Sequence, residues 1–288
     1  MYKIGIIGNG FVGSSVAFGF SPQTGCDLDD IKIYDKRDDK ATHTLSEVVN
    51  DSDYIFISVP TPSNQDGSIN LDIVYNVFEN IEECCEKNSK PVLLLRSTVL
   101  PGTTKKIQLK HPKLRIVFNP EFLTERSAKL DFINQSRFVL GGNWGDCTSV
   151  EHLYQWRFGN YIPVIKTNFE TAEMIKYMCN CFFATKVSYM NEMKKLSDKI
   201  GANWKDAVDG FSLDGRIGHS HLNVPGPDGK FGFGGSCFPK DVQAMVHFMQ
   251  ELNIPLNTLK GSWETNLEVR PEEDWKELKG RAVVDENN

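Results

Sequence analysis

The sequence lacks the features that define several common protein classes. Its seven cysteines are an odd number, they form no CxxC pair, and no histidine spacing typical of a zinc site accompanies them. No uninterrupted apolar run is long enough to cross a membrane, and the chain opens with a short strand pattern instead of a charged leader and an apolar signal core. We therefore expect a cytoplasmic protein of a reducing compartment, with no metal site and no membrane partner.

The sequence also has only a small excess of charge. Thirty-two Lys and Arg residues stand against 38 Asp and Glu residues, which gives a formal net charge of -6. A mildly acidic chain is poorly suited to nucleic acid, so we expect no nucleic-acid partner. At 288 residues the chain can bury two moderate cores, and two domains are predicted.

A glycine-rich stretch that runs into a cysteine, Phe231 to Asp241, is the most distinctive feature. The first turn of a helix tolerates proline, so Pro239 predicts that Cys237 lies just before a helix N-terminus. The helix dipole and the nearby Lys240 favour a thiolate at that position. A lone cysteine in a turn is often only structural. Here the glycines and the Lys240-Asp241 pair favour a nucleophile.

A second glycine-rich loop lies near the amino terminus, where the apolar run Lys3 to Ile7 leads into Gly8-Asn9-Gly10-Phe11-Val12-Gly13 and then a helical segment. This arrangement lets a pyrophosphate approach the backbone at a helix N-terminus. The next strand ends in Asp35, where a dinucleotide fold places the acid that binds the adenosine ribose. The pattern predicts NAD in preference to NADP, a preference that the basic residues around Lys40 soften. An ordinary loop acid is the alternative for Asp35.

Short apolar strands alternate with helical segments up to Thr167. This order predicts an α/β fold whose N-terminal domain is a doubly wound parallel sheet, Rossmann-like, followed by a long helix and an all-α domain. The predicted domains are residues 1–167, which bind NAD, residues 168–270, which form a helical substrate and dimerisation domain, and residues 271–288, a polar tail that we expect to be frayed. A capping box from Thr167 to Glu170 predicts the start of the long helix, and Gly201 predicts its end.

Several polar residues fall at the predicted carboxyl ends of strands. Ligands of parallel sheets bind beyond those ends. One crevice could therefore collect Thr61, Thr98 and Glu121 together with Gly8 and Asp35. The alternative is that each is a turn or cap residue, which is common for threonine.

The long helix is apolar on nearly every side except at Lys176 and Asn180, which are four residues apart. A helix that is apolar all round is buried, and a lysine and an amide inside it need partners. Either the two side chains pair with each other and with neighbouring carbonyls, or they point into a cavity at a ligand.

The motifs in this order resemble those of the nucleotide-sugar 6-dehydrogenases, the UDP-glucose/GDP-mannose dehydrogenase family. The likeness is greatest to members that act on UDP-glucose, and it covers most of the chain. It rests on Gly8 to Gly13, Val59 to Pro62, Ser97 to Gly102, Asn119 to Glu125, Glu173 to Asn180, Arg216 to Gly218 and Phe231 to Asp241. The family oxidises a primary alcohol to a carboxylate in two NAD-dependent hydride transfers, through a covalent adduct on the cysteine. The resemblance therefore implies NAD as cofactor, a nucleotide-sugar substrate and a place in polysaccharide precursor synthesis.

The same resemblance implies the catalytic roles. Cys237 is the expected nucleophile, because an aldehyde trapped as a thiohemiacetal can lose a second hydride to give a thioester that water hydrolyses. The other roles carried over are stabilisation of oxygen charge by Lys176 and Asn180, handling of protons and the hydrolytic water by Asp241 and Glu121, and holding of a water near the nicotinamide by Thr98.

Binding residues are implied in the same way. The expected cofactor contacts are the loop Gly8 to Gly13, Asp35, Lys40, Thr61, Thr98, Glu125 and Lys240. The expected sugar-nucleotide contacts are Glu121, Phe122, Leu123, Thr124, Glu125, Lys176, Asn180, Phe231 and Gly234. Arg216 resembles an arginine that reaches the substrate site of a neighbouring subunit, and the long helix resembles the core of a homodimer.

Two features depart from the family pattern. Members usually continue into a second nucleotide-binding-type domain that holds much of the uridine, whereas this sequence ends shortly after Arg281, so we expect a short form without that domain. Arg126 follows Glu125 where many relatives have a small residue. These departures leave the identity of the nucleotide sugar open.

Alternative functions follow from these points. The substrate could be another nucleotide sugar, a UDP-N-acetylhexosamine or GDP-mannose. The chain could also be a non-catalytic NAD-binding dimer that serves as a scaffold, although a scaffold has no need of an activated thiol at Cys237. A two-electron hydroxyacid dehydrogenase shares the N-terminal layout but has no use for that cysteine either.

Overall fold

A computed structural model describes residues 2–26, 28, 31–87 and 89–285. The chain forms two compact units: Met1–Thr61 with Leu71–Lys176, and Pro62–Asn70 with Tyr177–Asn288. The units divide inside a helix, between residues 176 and 177, whereas the predicted boundary is at residue 167. The proposed domain limits therefore stay a prediction.

The first unit is built on a seven-stranded sheet in the order β2-β1-β3-β4-β5-β6-β7. Its strands are β1 (Ile4–Ile7), β2 (Ile31–Tyr34), β3 (Tyr54–Ile57), β4 (Val92–Leu95), β5 (Arg115–Phe118), β6 (Phe138–Gly142) and β7 (Val164–Thr167). Strands β1, β3 and β4 are buried at every residue, because helices cover both faces of the sheet. These strands consequently read as unbroken apolar runs in the sequence.

Among the described residues, six α-helices lie wholly within this unit. They are α1 (Phe11–Gly19), α2 (Leu45–Asn50), α3 (Asp72–Cys84), α4 (Thr103–Lys110), α5 (Ala128–Ile133) and α6 (Trp144–Phe158). The side chains of the strands alternate between two apolar clusters, one on each face of the sheet. The doubly wound α/β fold predicted from the alternation of strands and helices is confirmed.

The predicted direction of the last two strands is wrong. Strand β6 pairs with β5 in the antiparallel sense, with Val117 opposite Gly142, and β7 runs parallel to β6. Hydrophobic periodicity reports which face of a strand is buried but carries no information on its direction.

Helix α7 (Phe169–Ile200) is 32 residues long. The predicted cap at Thr167 is wrong by one residue: Asn168 caps the helix, since its Oδ1 accepts a hydrogen bond of 2.8 Å from the Thr171 N–H. Glu170 pairs with Lys105 of α4 instead of closing a capping box. The predicted end is confirmed, because Gly201 has a left-handed φ of +70° directly after the helix.

The second unit is helical. Besides most of α7 it contains α8 (Trp204–Ser212), α9 (Phe238–Glu251) and α10 (Asn257–Val269). One apolar cluster centres on Ala184, Phe233 and Val242, and another on Met190, Leu222 and Val224. Among the described residues, no helix of either unit is long and apolar enough to cross a membrane.

The segment after α10 corrects a prediction. We expected a frayed polar tail from residue 271, but Trp275 is 1% exposed and its ring lies 5.5 Å from that of Trp263. Further on, the Ser63 N–H donates to the Ala282 carbonyl at 2.9 Å, and the Val284 N–H donates to Ser63. One buried tryptophan and these backbone bonds order the segment despite its charge. The last three residues of the predicted tail, 286–288, lie outside the described residues.

Candidate active site

The glycine loop after β1 is shaped for close approach of a ligand. Gly8 has a φ of +91°, and a Cβ on Gly13 would lie 1.9 Å from the Gly8 carbonyl oxygen, so neither position accepts a side chain. Gly10, just before α1, faces open space, since a Cβ there would meet no atom within 4 Å. The loop therefore leaves an open backbone surface at a helix N-terminus, which fits the pyrophosphate of a dinucleotide.

Asp35 lies at the end of β2, where it is bound to the same loop. Its carboxylate accepts hydrogen bonds from the Asn9 N–H at 2.6 Å and from the Arg37 N–H at 2.9 Å. The Asn9 side chain also donates to the Lys40 carbonyl at 2.9 Å. The guanidinium of Arg37 is engaged by Asp39 at 2.8 Å. The structure thus joins the predicted ribose acid to the predicted pyrophosphate loop.

Two further predicted residues follow β3 and β4. Thr61 is buried and Thr98 is half-buried. The hydroxyl of Ser97, next to Thr98, donates to the Val59 carbonyl at 2.7 Å and ties the two strand-end loops together. Their contacts with a cofactor stay predictions.

Lys176 and Glu121 form a buried ion pair within the first unit. The Lys176 Nζ lies 2.7 Å from the Glu121 carbonyl oxygen and 2.8 Å from its Oε1, with side-chain exposures of 4% and 7%. The other carboxylate oxygen accepts from the Leu123 N–H at 2.7 Å, and the Phe122 ring lies 5.6 Å from the ammonium group. These bonds hold the loop after β5 against the start of α7.

The rest of that loop is organised locally. Thr124 donates to Asp131 from its N–H at 2.7 Å and from its hydroxyl at 2.5 Å, which fastens the start of α5. These bonds hold the pKa of Asp131 below its usual value despite burial. The Glu125 side chain is exposed at the surface. The predicted ligand contacts of Thr124 and Glu125 stay predictions.

Cys237 directly precedes α9, as the sequence predicts, and is half-buried. Pro239 occupies the first turn of that helix, and the Asp241 N–H closes the turn by donating to the Cys237 carbonyl at 2.9 Å. The thiol therefore sits at the positive end of the helix dipole.

Asp241 is 1% exposed and has two donors within the second unit. Its Oδ2 accepts from the Asn180 side chain at 2.5 Å, and its Oδ1 accepts from the Lys240 ammonium at 2.5 Å. Burial and the charge of Asp241 raise the pKa of the Cys181 thiol. Cys181 is thus held as an inert thiol.

The two polar residues of α7 therefore have different partners. Lys176 binds the carboxylate of Glu121, and Asn180 binds that of Asp241. The sequence left open whether the two pair with each other or face a ligand, and it did not identify these carboxylates as their partners. Residues four apart on one helix lie on the same face, one turn from each other.

The loop before Cys237 is held by two asparagines that the sequence did not single out as site residues. The Gly232 N–H donates to Asn191 at 3.1 Å, and the Phe233 N–H donates to Asn266 at 2.7 Å. The Asn266 amide donates back to the Phe233 carbonyl at 3.0 Å. Both asparagines are buried on helices, and a buried amide on an apolar helix is the signal that could have identified them.

Arg270 holds the same loop from the end of α10. Its guanidinium lies 2.8 Å from Asp228 and 2.7 Å from Asp274, and it lowers the pKa of Asp274 to about 2. A Cβ on Gly234 would lie 2.5 Å from this guanidinium, so a side chain there would displace the guanidinium. Arg270 lies four residues after Asn266, the spacing that Lys176 and Asn180 also share.

Two predicted substrate residues lie at the surface of the second unit. The side chain of Arg216 is 89% exposed and pairs with Asp214 in a turn beyond α8. Phe231 is 46% exposed. The substrate roles of both residues stay predictions.

Two protein-family models match the chain. The NAD-binding domain of the UDP-glucose/GDP-mannose dehydrogenase family matches residues 33–156, and the central domain of that family matches residues 170–268. The UDP-glucose 6-dehydrogenase of Rickettsia prowazekii is 35% identical to the chain over an alignment that covers 93% of the chain and 67% of the relative. The chain belongs to the UDP-glucose/GDP-mannose dehydrogenase family. The resemblance inferred from the motifs is confirmed, and the first unit carries the family's NAD-binding domain.

Other members of the family extend the comparison. The UDP-glucose 6-dehydrogenase TuaD of Bacillus subtilis is 34% identical, with 94% of this chain and 64% of the relative covered. The solved structure of a UDP-glucose dehydrogenase from Pyrobaculum islandicum has a TM-score of 0.80 at 26% identity, with 93% of this chain and 68% of that chain covered. The chain therefore spans about two thirds of the length of these family members.

Proposed function

We propose that this member of the UDP-glucose/GDP-mannose dehydrogenase family oxidises UDP-glucose to UDP-glucuronate, with NAD as oxidant and Cys237 as nucleophile. The observation that carries the proposal is the position of Cys237 before α9, one turn from the buried Asp241 with its donors Asn180 and Lys240. A thiol at a helix N-terminus beside a buried, hydrogen-bonded carboxylate is a typical catalytic arrangement.

The first unit supplies the cofactor site in this proposal. NAD, when bound, accepts one hydride in each of two oxidations. The open glycine loop at Gly10 presents backbone N–H groups to the pyrophosphate. Each Asp35 oxygen already accepts one N–H bond and keeps a further lone pair for a ribose hydroxyl.

The first oxidation converts the primary alcohol to an aldehyde. The carbon loses a hydride, and the hydroxyl loses its proton to a carboxylate, the role we assign to Asp241 through water. The ammonium of Lys176 and the amide of Asn180 stabilise the charge that develops on the oxygen.

The second oxidation takes place on Cys237. The thiolate sulfur bonds to the aldehyde carbon, and the resulting thiohemiacetal loses a hydride and a proton to become a thioester. Water, oriented by Glu121, adds to the thioester carbon, and the carbon–sulfur bond breaks to release the carboxylate and restore the thiol. In total, one alcohol, one water and two NAD⁺ give one carboxylate, two NADH and three protons.

A comparison of nucleotide sugars tests the substrate. We expect the chain to oxidise UDP-glucose with a kcat/KM at least about tenfold above those for GDP-mannose and UDP-N-acetylglucosamine. The measurement is the initial rate of NADH formation with each sugar at a fixed, saturating NAD concentration. If the chain oxidised either competitor faster, that sugar would replace UDP-glucose as the proposed substrate. NADH binding without turnover of any sugar would favour the scaffold alternative.

We also propose that the chain forms a homodimer through α7. Large apolar side chains on the second-unit part of that helix are exposed, among them Phe182 at 64%, Leu196 at 50% and Ile200 at 67%. Tyr189, Leu196 and Ile200 line an apolar groove of about 260 Å³ beside α8. Such a surface favours association. Sedimentation velocity should give twice the chain mass at micromolar concentration, and a monomer mass there would contradict the dimer.

A further inference from the structure

Glu173 is a buried carboxylate of the first unit to which the reaction assigns no role. It lies on α7 and is 0% exposed. Its Oε2 accepts the Gly102 N–H at 2.6 Å, and its Oε1 accepts both the Thr104 N–H at 2.7 Å and the Thr104 hydroxyl at 2.6 Å. All three donors belong to the loop and first turn that follow β4.

These bonds replace a cap that the sequence of α4 does not provide. The residue before α4 is Gly102, at a left-handed φ of +94°, and it makes no side-chain cap bond. The first N–H groups of a helix have no partner within the helix and require an acceptor. A carboxylate is the strongest acceptor available and also complements the helix dipole. Glu173 therefore caps α4 from a different helix.

We propose that Glu173 is a positioning residue that fixes the β4–α4 loop, residues 96–102, and with it Thr98. Two hydrogen bonds of the loop lie on either side of Thr98: the Ser97 hydroxyl bonds to the Val59 carbonyl near the start of the loop, and Glu173 binds Gly102 at its end. Thr98 lies between them. Because Lys176 stands three residues after Glu173 on α7, the first turns of this helix fix the loops after both β4 and β5.

Burial and the neighbouring charges shift the pKa of the Glu173 carboxylate. Burial raises the pKa of Glu173 to about 7, with a small contribution from Glu170 of the same helix, although the three donated bonds oppose the shift. On the neighbouring elements, Lys105 of α4 is engaged by Glu170, and the pKa of Tyr75 of α3 is raised by burial and by the charges of Asp72 and Glu173. Measurements at pH 8 therefore examine the ionised form.

The test replaces Glu173 with glutamine in the full chain at pH 8. One amide oxygen cannot accept from all the donors, and the amide hydrogens oppose the N–H groups, so the loop is expected to loosen. Hydrogen exchange of the peptide covering residues 96–104 should accelerate at least about tenfold, while that of β1 and β3 stays unchanged. If the proposed function holds, kcat with UDP-glucose should fall at least about tenfold, while the KM for UDP-glucose stays within about threefold of the parent value.

Two further variants make the test specific. Glu170→Gln removes a carboxylate from the same helix facing the same α4, but at an exposed pair with Lys105, and should change neither exchange nor kcat. Thr104→Val removes only the hydroxyl donor and should give an intermediate acceleration of exchange.

The outcomes separate this inference from the proposed function. Unchanged exchange in Glu173→Gln, or an equal change in Glu170→Gln, would overturn the assignment of Glu173. A lower melting temperature with unchanged kcat would also overturn it, since the residue would then be only structural. Accelerated exchange in a chain that turns over no nucleotide sugar would support the loop assignment and overturn the proposed function.

Discussion

Replacing Cys237 with alanine is expected to abolish formation of the carboxylate product, with a loss of at least about 10³-fold in rate. Without the sulfur, no thiohemiacetal or thioester can form, and the second oxidation has no covalent intermediate. The substitution removes a half-buried side chain just before α9, so the fold and NADH binding should persist. The measurement is chromatographic quantification of UDP-glucuronate, together with NADH release.

A matched change at another thiol is the control. Cys85, at the end of α3 in the first unit, is also half-buried, and burial raises its pKa. Cys85→Ala should therefore leave the rate unchanged. UDP-glucuronate formation by the Cys237 variant at the parent rate would refute the covalent mechanism.

Replacing Lys176 with methionine is expected to reduce both stability and turnover. The change keeps the length of the side chain but leaves the Glu121 carboxylate buried without its cation, which typically costs about 3–5 kcal/mol of unfolding free energy. Turnover should fall at least about 10²-fold, because the group that stabilises the oxygen charge is lost. Urea denaturation and steady-state kinetics measure the two effects.

A double variant separates the two effects. In Lys176→Met with Glu121→Gln no charge remains buried at the pair, so most of the stability should return while turnover stays low. Lys105→Met, at the exposed pair with Glu170, is the control and should leave the free energy of unfolding nearly unchanged. Recovery of turnover in the double variant, or full stability of the single one, would contradict this account of the pair.

The sequence was most informative where a residue's environment is set by its near neighbours. The apolar run Val92 to Leu95 has the bounds of β4 itself, because a strand covered on both faces has no polar position to interrupt it. Pro239 and the glycines placed Cys237 before α9 for a similarly local reason. Strand direction is a property of the whole sheet, so the antiparallel placement of β6 was missed.

The partners of the site residues could not be predicted, because they come from distant parts of the chain. Lys176 and Asn180 stood out as polar residues on an apolar helix, but the carboxylates that bind them are 55 and 61 residues away. The segment after residue 270 was expected to be frayed because it is charged, and its composition does not reveal that Trp275 packs against Trp263. Arg270 and Glu173 act on loops that only the folded chain brings to them.

The central claim is a four-electron oxidation through Cys237, and the ratio of NADH formed to UDP-glucose consumed tests it most directly. The purified chain would be incubated with a limiting amount of UDP-glucose and excess NAD until the reaction ends, and both quantities would be measured. We predict two NADH for each UDP-glucose, with UDP-glucuronate as the product. A ratio of one, with an aldehyde as the product, would contradict the claim.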